Sequence, residues 1–140
     1  MGMKAFTTIY QDVKTGDCFV QPSVMGPVSW TQFGEPILVR EDEFKAKIGQ
    51  VVLESLSQFD KEKFDPQLAR RRTPEENREF VKRHRSVSVT LQETGETLIR
   101  PLHKEKGGYV GYDNESIVVD ADLLNSKLAE AIRKAFELAT

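Results

Sequence analysis

The chain has 140 residues, of which 39% are hydrophobic and 30% are charged. This length and balance predict one globular domain with an ordinary core and argue against a chain that is disordered throughout. The 20 Lys and Arg residues against 22 Asp and Glu residues give a net charge of −2, whereas a general nucleic-acid binder is usually strongly basic. We find no apolar run of membrane-helix length and no signal peptide, and the single cysteine excludes an internal disulfide. These features predict a cytoplasmic protein that does not bind membranes.

The first half of the sequence predicts several strands followed by a helix. From Glu41 to Phe59, apolar residues recur at the spacing of a helix with one buried face. Gly49 lies inside this helix, and we expect it to allow close packing against a strand. The other predicted elements of this half are strands at 4–10, 18–22 and 37–40, a turn at 14–17 and a loop over 23–36.

A second helix is predicted between the two halves, and more strands follow it. Thr73, Pro74 and Glu76 form a favourable helix start, and this surface helix should run to about residue 85 with Phe80 and Val81 as its apolar anchors. The remaining predicted elements are strands at 86–91, 97–102, 109–112 and 116–120, the last two paired as a hairpin, and a helix over about 122–139.

The two halves of the sequence resemble each other. Residues 35–56 align with residues 115–136 at an offset of 80 without a gap, and the preceding hairpins align at an offset of 79. An internal duplication of about 5–57 and 86–137, joined by 58–85, would explain the match, and so would the pattern that any two strand-helix units share. In both cases we expect a single domain over residues 1–140 with an α+β fold. Its antiparallel-rich sheet would carry two equivalent helices on one face, with the helix at 73–85 inserted on the surface.

No pattern in the sequence marks a catalytic or metal site. The arrangement nearest to nucleophilic catalysis would pair Cys18 with His103, but no sequence motif surrounds either residue. Cys18 lies in a predicted strand, where a buried structural thiol is the commoner outcome. We therefore predict that the protein is not an enzyme and has no catalytic residue, metal site or cofactor, and a small thiol enzyme remains only a third hypothesis.

The basic segment 70–85 supports a second hypothesis, an RNA-binding or regulatory module. Acidic residues interleave with its basic ones, so they would repel phosphate and could pair with the arginines at helical spacing. A solvated, self-paired helix and a contact face for RNA or protein both stay open. The basic residues are Arg70, Arg71, Arg72, Arg78, Lys82, Arg83 and Arg85, and the acids are Glu75, Glu76 and Glu79.

Residues 86–136 resemble the immunity proteins of bacterial contact-dependent growth inhibition systems. The resemblance depends on three runs of sequence, S-V-S-V-T-L at 86–91, R-P-L-H-K-E-K-G-G-Y-V-G at 100–111, and I-V-V at 117–119 before a final helix that contains A-I-R-K-A-F. It covers the last third of the chain closely, whereas the first half fits only through its similarity to the second.

The resemblance implies a small cytoplasmic protein without enzymatic activity. Such a protein binds, one to one, the C-terminal toxin domain of a cell-surface effector, and that domain is commonly a nuclease. Because a nuclease cleft is expected to be basic, we expect the inhibitor surface that covers it to present aromatic anchors and carboxylates that are not already used in helix pairs. In the competing interpretation the acids are solvated turn residues and the aromatic side chains fill the core. The candidate toxin-binding residues are Trp30, Phe33, Glu35, Glu41, Tyr109, Tyr112, Asp113 and Glu115.

Overall fold

The computed structural model describes residues 3–25, 30–32, 35–59, 73–105, 108–120 and 124–140, of which 24, 25, 30, 31, 113 and 124–126 are described by their backbone alone. The first half contains β1 (Met3–Asp12), β2 (Cys18–Met25), β3 (Trp30–Gln32), β4 (Ile37–Val39) and α1 (Phe44–Ser57). Helix α2 (Pro74–Arg83) follows, and the second half contains β5 (His84–Gln92), β6 (Thr97–Glu105), β7 (Gly108–Gly111), β8 (Ile117–Val119) and α3 (Leu124–Leu138). Short 3-10 helices precede α1 at Glu41–Glu43 and β8 at Asp113–Glu115.

The strands of the described residues form one antiparallel sheet in the order β3-β2-β1-β5-β6-β7. Strand β4 pairs with β2 beside β3, and β8 pairs with β6 beside β7, so each outer position of the sheet holds two short strands. The two halves meet at the centre, where β1 pairs with β5 along almost its whole length. The predicted α+β fold with an antiparallel-rich sheet is confirmed.

The pairing registers of the two halves correspond residue by residue. Thr7 pairs with Pro22, and the residues that lie 80 and 79 positions later, Val87 and Pro101, also pair with each other. At the centre Thr8 pairs with Ser88, its own equivalent, so a pseudo-two-fold axis passes between β1 and β5. The same offsets relate the pairs at the outer positions of the sheet. The β2–β4 pair Cys18–Val39 corresponds to the β6–β8 pair Thr97–Val119. The β2–β3 pair Ser23–Gln32 corresponds to the β6–β7 pair Leu102–Gly111.

Helices α1 and α3 pack against each other and on the same face of the sheet, as the aligned apolar patterns predict. Their buried side chains meet those of the four central strands in one hydrophobic cluster, because alternate residues of each strand point to this face. Fully or almost fully buried members are Ile48, Val52 and Leu56 of α1, Leu128, Ile132 and Phe136 of α3, and Ile9, Val20, Val87 and Ile99 of the strands.

Helix α2 lies on the opposite face of the sheet. Thr73 and Glu76 form the predicted capping box, since the Thr73 side chain accepts from the Glu76 N–H and the Glu76 carboxylate accepts from the Thr73 N–H. Val81 is buried, and the Phe80 ring contacts Tyr10 of β1 at 4.8 Å between ring centroids. The helix ends at Arg83, two residues before the predicted end, because His84 already belongs to β5.

Two features of the predicted strands were wrong. The segment 23–36 is not wholly a loop, because β2 continues to Met25 and residues 30–32 form β3. Strands β7 and β8 do not form a hairpin with each other, since both pair with β6. The prolines explain the arrangement. Pro22 and Pro101 lack an N–H group, and each lies where the outer partner of its strand changes from one short strand to the other.

The packing predicted for Gly49 was also wrong. This glycine faces α3 and not a strand, since a Cβ atom placed on it would lie 3.9 Å from the Cβ and Cδ2 atoms of Leu128. The predicted helix start at Glu41 is a 3-10 turn, and α1 proper begins at Phe44. Among the described helices, none has the length and apolar character needed to cross a membrane.

Candidate partner-binding surface

The predicted toxin-binding residues fall at opposite ends of the sheet. Trp30, Glu35 and Glu41 belong to β3, β4 and their flanking segments. The candidates at the other edge lie in β7, in the 3-10 helix that follows it or between the two, and they are Tyr109, Tyr112, Asp113 and Glu115. Strands β2, β1, β5 and β6 separate these two edges. Phe33 lies outside the described residues, as do the side chains of Trp30 and Asp113. The candidate residues therefore form two separate groups.

At the first edge, the described acids are exposed and Glu41 supports a turn. The backbone N–H of Glu41 donates to the Asp17 carboxylate over 3.0 Å. Its side chain covers Gly16, where an added Cβ atom would lie 2.9 Å from the Glu41 Cδ atom. Glu35 is exposed just before β4. This edge thus gives Glu41 a role in holding the turn between β1 and β2.

The second edge carries a connected group of polar side chains, which we call the His103 cluster and which consists of His103, Glu105, Tyr112, Glu115 and Thr140. The His103 Nε2 atom lies 2.6 Å from a Glu115 carboxylate oxygen, and its Nδ1 atom lies 2.6 Å from the Thr140 hydroxyl. Because a carboxylate only accepts, this geometry assigns the Nε2 proton to the bond with Glu115. Glu115 is therefore paired with His103, a residue of a neighbouring strand.

Tyr112 gives the His103 cluster its exposed aromatic surface. Its side chain is 45% exposed, its hydroxyl donates to the Glu105 carboxylate, and its ring centroid lies 5.7 Å from that of His103. The hydrogen bond to Glu105 raises the pKa of Tyr112 above its usual value. Val110 is 39% exposed and pairs with His103 across the strands, which places the two side chains on the same face. An apolar and aromatic surface thus adjoins two carboxylates.

Tyr109 does not contribute to this surface. Its hydroxyl donates to the backbone carbonyl of His84 over 2.9 Å, and its ring lies 5.7 Å from that of Tyr10. These contacts place the Tyr109 side chain on the face that carries α2. For this residue, the structure agrees with the competing interpretation that the aromatic side chain packs within the protein.

The structure does not bring Cys18 and His103 together. They lie on β2 and β6, with β1 and β5 between them, and three strand spacings correspond to about 14 Å. Cys18 is completely buried, and burial raises the pKa of its thiol to about 12. Among the described residues, no group of three His, Cys, Asp or Glu side chains is placed to hold a metal ion.

Two of the basic residues between 73 and 85 are held by contacts within the fold. Arg83 Nε donates to the Asp12 carboxylate over 2.6 Å. Arg85 points toward the face of α1 and α3, where it donates to Gln11 and to the carbonyl of Phe136. Residues 70–72 lie outside the described residues, and Arg78 and Lys82 are exposed.

Sequence reasoning missed His103, Glu105, Val110 and Thr140 as members of this surface. The alternation of side chains along β6 puts His103 and Glu105 on one face and is visible in the sequence. The approach of Thr140 is not visible there, because it depends on how α3 packs. The Lys104 N–H donates to the carbonyl of Thr140 over 3.0 Å, which ties the end of this helix to β6.

The protein has an α+β fold, and the sheet edge at β7 and β8 carries an exposed aromatic and acidic surface. No protein-family model and no curated protein matches the sequence. Among solved structures, the chain is similar to a protein of unknown function, NMB0488 from Neisseria meningitidis, with a TM-score of 0.72 and 14% sequence identity. The similarity covers 100% of this chain and 99% of that one, and at this identity it shows the fold alone.

Proposed function

We propose that this protein binds and neutralises the C-terminal toxin domain, a nuclease, of a contact-dependent growth inhibition effector, and that it does so without enzymatic activity. The resemblance of residues 86–136 to immunity proteins supports the class of function. The observation that carries the proposal is the exposed Tyr112 ring beside the carboxylates of Glu105 and Glu115, together with the exposed Val110. This combination suits a basic protein partner.

The preorganisation of this surface supports tight binding. The Tyr112 hydroxyl holds Glu105 and the His103 imidazole holds Glu115, so little side-chain freedom is lost when a partner binds. A tyrosine supplies a large apolar contact area with few rotatable bonds. Carboxylates attract a basic cleft over a distance, which raises the association rate and disfavours acidic partners.

Growth protection tests the proposed function. We expect the C-terminal region encoded by the reading frame directly upstream to stop bacterial growth when it is expressed alone, and this protein to restore growth when it is co-expressed. The two should also co-purify as a one-to-one complex. A toxic upstream region that is neither bound nor neutralised by this protein would contradict the proposal.

Charge reversal tests the surface. We expect the double variant Glu105→Lys, Tyr112→Ala to slow association with the purified toxin domain by about tenfold or more at low salt, because it removes an attractive charge and the aromatic anchor. The rate should be measured by stopped-flow fluorescence over a range of salt concentrations. The matched control is Glu93→Lys, which makes the same single charge reversal at an exposed acid in the turn at the other end of β6. Equal association rates for the two variants would place the interface elsewhere.

A further inference from the structure

The two carboxylates of the His103 cluster are only partly used by contacts within the described part of the chain. Glu105 accepts from the Tyr112 hydroxyl through Oε2, and Glu115 accepts from His103 through Oε1. A carboxylate offers two oxygen atoms with about four acceptor positions. None of the ion pairs between described residues joins either carboxylate to a lysine or an arginine. Both groups therefore keep the capacity to accept from a cation.

Both negative charges act on the Tyr112 side chain. The hydrogen bond to Glu105 is the main cause of the raised pKa of Tyr112, and the charges of Glu105 and Glu115 raise this pKa further. The same two charges that oppose a negative phenolate attract a positive group. The electrostatics around this ring thus favour a cationic ligand.

Tyr112 also presents an open aromatic surface between these charges. The residue is 45% exposed. Its ring is tilted by 40° against that of His103 with 5.7 Å between centroids, so the two rings are not stacked on each other. A cation within about 6 Å of a tyrosine ring centroid is attracted by the negative face of the π system. The ring and the carboxylates therefore attract the same kind of ligand.

An exposed apolar side chain adjoins the ring and the carboxylates. Val110 is 39% exposed and pairs across the strands with His103, so it lies on the same face as the His103 cluster. The aliphatic stem of an arginine or a lysine packs favourably along such a side chain while its charged head stays in a polar environment. A metal ion has no apolar part that could use Val110. The surface thus suits a cation that is carried on an aliphatic stem.

The shape of the charged head distinguishes arginine from lysine at this surface. A guanidinium group is planar and weakly hydrated, so it can lie flat on the Tyr112 ring. Its five N–H donors form a fork that can reach more than one carboxylate at once. A lysine ammonium is compact and strongly hydrated and cannot stack on a ring. A ring that adjoins two carboxylates therefore favours arginine.

We propose that the His103 cluster is a receptor site for one arginine side chain of the partner protein, whose guanidinium group stacks on Tyr112 and donates to Glu105 and Glu115. Val110 supports the aliphatic stem of this arginine. The Tyr112 hydroxyl and the His103 imidazole already hold the two carboxylates in place, so little side-chain freedom is lost on binding. That the arginine belongs to the toxin domain rests on the proposed function, whereas the recognition of arginine does not.

The test is an NMR titration of the full chain without toxin, at constant ionic strength, with N-acetyl-arginine amide up to about 50 mM. N-acetyl-lysine amide carries the same charge and is the matched control ligand. We expect the arginine amide to shift the backbone amide signals of Val110, Tyr112 and Glu115 with a dissociation constant on the order of 10 mM. The lysine amide should bind at least about threefold more weakly. The absence of these shifts, or binding of the lysine amide that is as tight or tighter, would overturn the proposal.

Variants of the full chain locate the site. Tyr112→Leu keeps an apolar side chain but removes the π face, so it should abolish the preference for the arginine amide. Glu105→Gln should weaken binding of the arginine amide by about threefold or more, because it removes one of the two charges. Glu93→Gln makes the same change at an exposed acid in the turn between β5 and β6 and should leave binding unchanged. If Tyr112→Leu loses the urea unfolding midpoint of the parent protein, Glu105→Gln decides alone. Equal affinities of a folded cluster variant and Glu93→Gln would contradict the assignment.

The titration also separates this proposal from the proposed function. A chain that binds the arginine amide but neither binds nor neutralises the toxin domain would contradict the proposed function and leave the receptor site standing. A chain that neutralises the toxin domain but does not bind the arginine amide would contradict the receptor site alone.

Discussion

Asp12 joins three parts of the chain through one buried carboxylate. It accepts hydrogen bonds from the backbone N–H groups of Lys14 at 2.8 Å and Thr15 at 3.3 Å, and from Arg83 Nε at 2.6 Å. Burial alone would raise its pKa, but the hydrogen bonds from these groups outweigh burial and hold the pKa of Asp12 below its usual value. Asp12 therefore fixes both the turn after β1 and the end of α2.

We expect Asp12→Ala to lower the free energy of unfolding by about 1–3 kcal/mol at neutral pH, because several hydrogen bonds to a charged group are lost. The folded-state pKa is below the unfolded-state value of about 4. The stabilisation is thus complete above that value and is lost as the pH falls through the folded-state pKa. Urea unfolding of the parent protein and of Asp12→Ala between neutral pH and about pH 3 measures how their difference in stability depends on pH. A stability difference that stays constant with pH would contradict the role of the charge.

Cys18 should be chemically inert in the folded protein. Its side chain is completely buried, and burial raises the pKa of its thiol to about 12, so almost no reactive thiolate forms near neutral pH. We expect iodoacetamide to label Cys18 only after unfolding in urea, as measured by mass spectrometry. Rapid labelling of the native protein would show that the thiol is accessible. We also expect Cys18→Ala to retain toxin protection.

At the scale of the elements, two glycines should respond in opposite directions to the same substitution. Gly49→Ala should raise the free energy of unfolding by about 0.5–1 kcal/mol, because alanine favours the helix and its Cβ atom would meet Leu128 at an ordinary contact distance of 3.9 Å.

Gly16→Ala should instead destabilise the protein by about 1–2 kcal/mol. Gly16 has a φ of +81°, and a Cβ atom would lie 2.9 Å from Glu41. Urea unfolding of the two variants beside the parent protein makes the comparison. A loss of stability for Gly49→Ala would mean that α1 and α3 are closer together than the structure indicates.

At the scale of the whole molecule, the two halves depend on each other for their core. Strands β1 and β5 pair with each other across the pseudo-two-fold axis, and α1 packs on α3. Separating the halves would expose the edges of two central strands and one side of each helix. Neither half should therefore bury enough apolar surface to fold alone.

We expect fragments 1–66 and 67–140, which together keep every residue, to lack cooperative thermal unfolding when each is alone and to regain it when they are mixed. Circular dichroism and size-exclusion chromatography would follow the association. A fragment that shows native-like cooperative unfolding by itself would show that one half carries an independent core.

Much of this architecture follows from the local sequence. The apolar spacing from Phe44 to Leu56 specifies which face of α1 is buried, and the alignment at offsets of 79 and 80 predicts the repeated strand order. Thr73 and Glu76 specify the start of α2 because capping involves residues that are only three positions apart. Periodicity and capping depend on neighbours along the chain, so the sequence alone determines them.

The tertiary structure decided the features that depend on contacts between distant residues. Strand β3 has only three residues and exists through its pairing with β2. Tyr109 and Tyr112 lie only three positions apart in the sequence. Tyr109 nevertheless lies on the face that carries α2 and donates to the His84 carbonyl, whereas Tyr112 is exposed and donates to Glu105. The His103 cluster includes Thr140, which follows α3 and contacts β6 only because of the way α3 packs on the sheet. Composition and spacing show which groups are present, but only packing decides which side of the sheet receives each one.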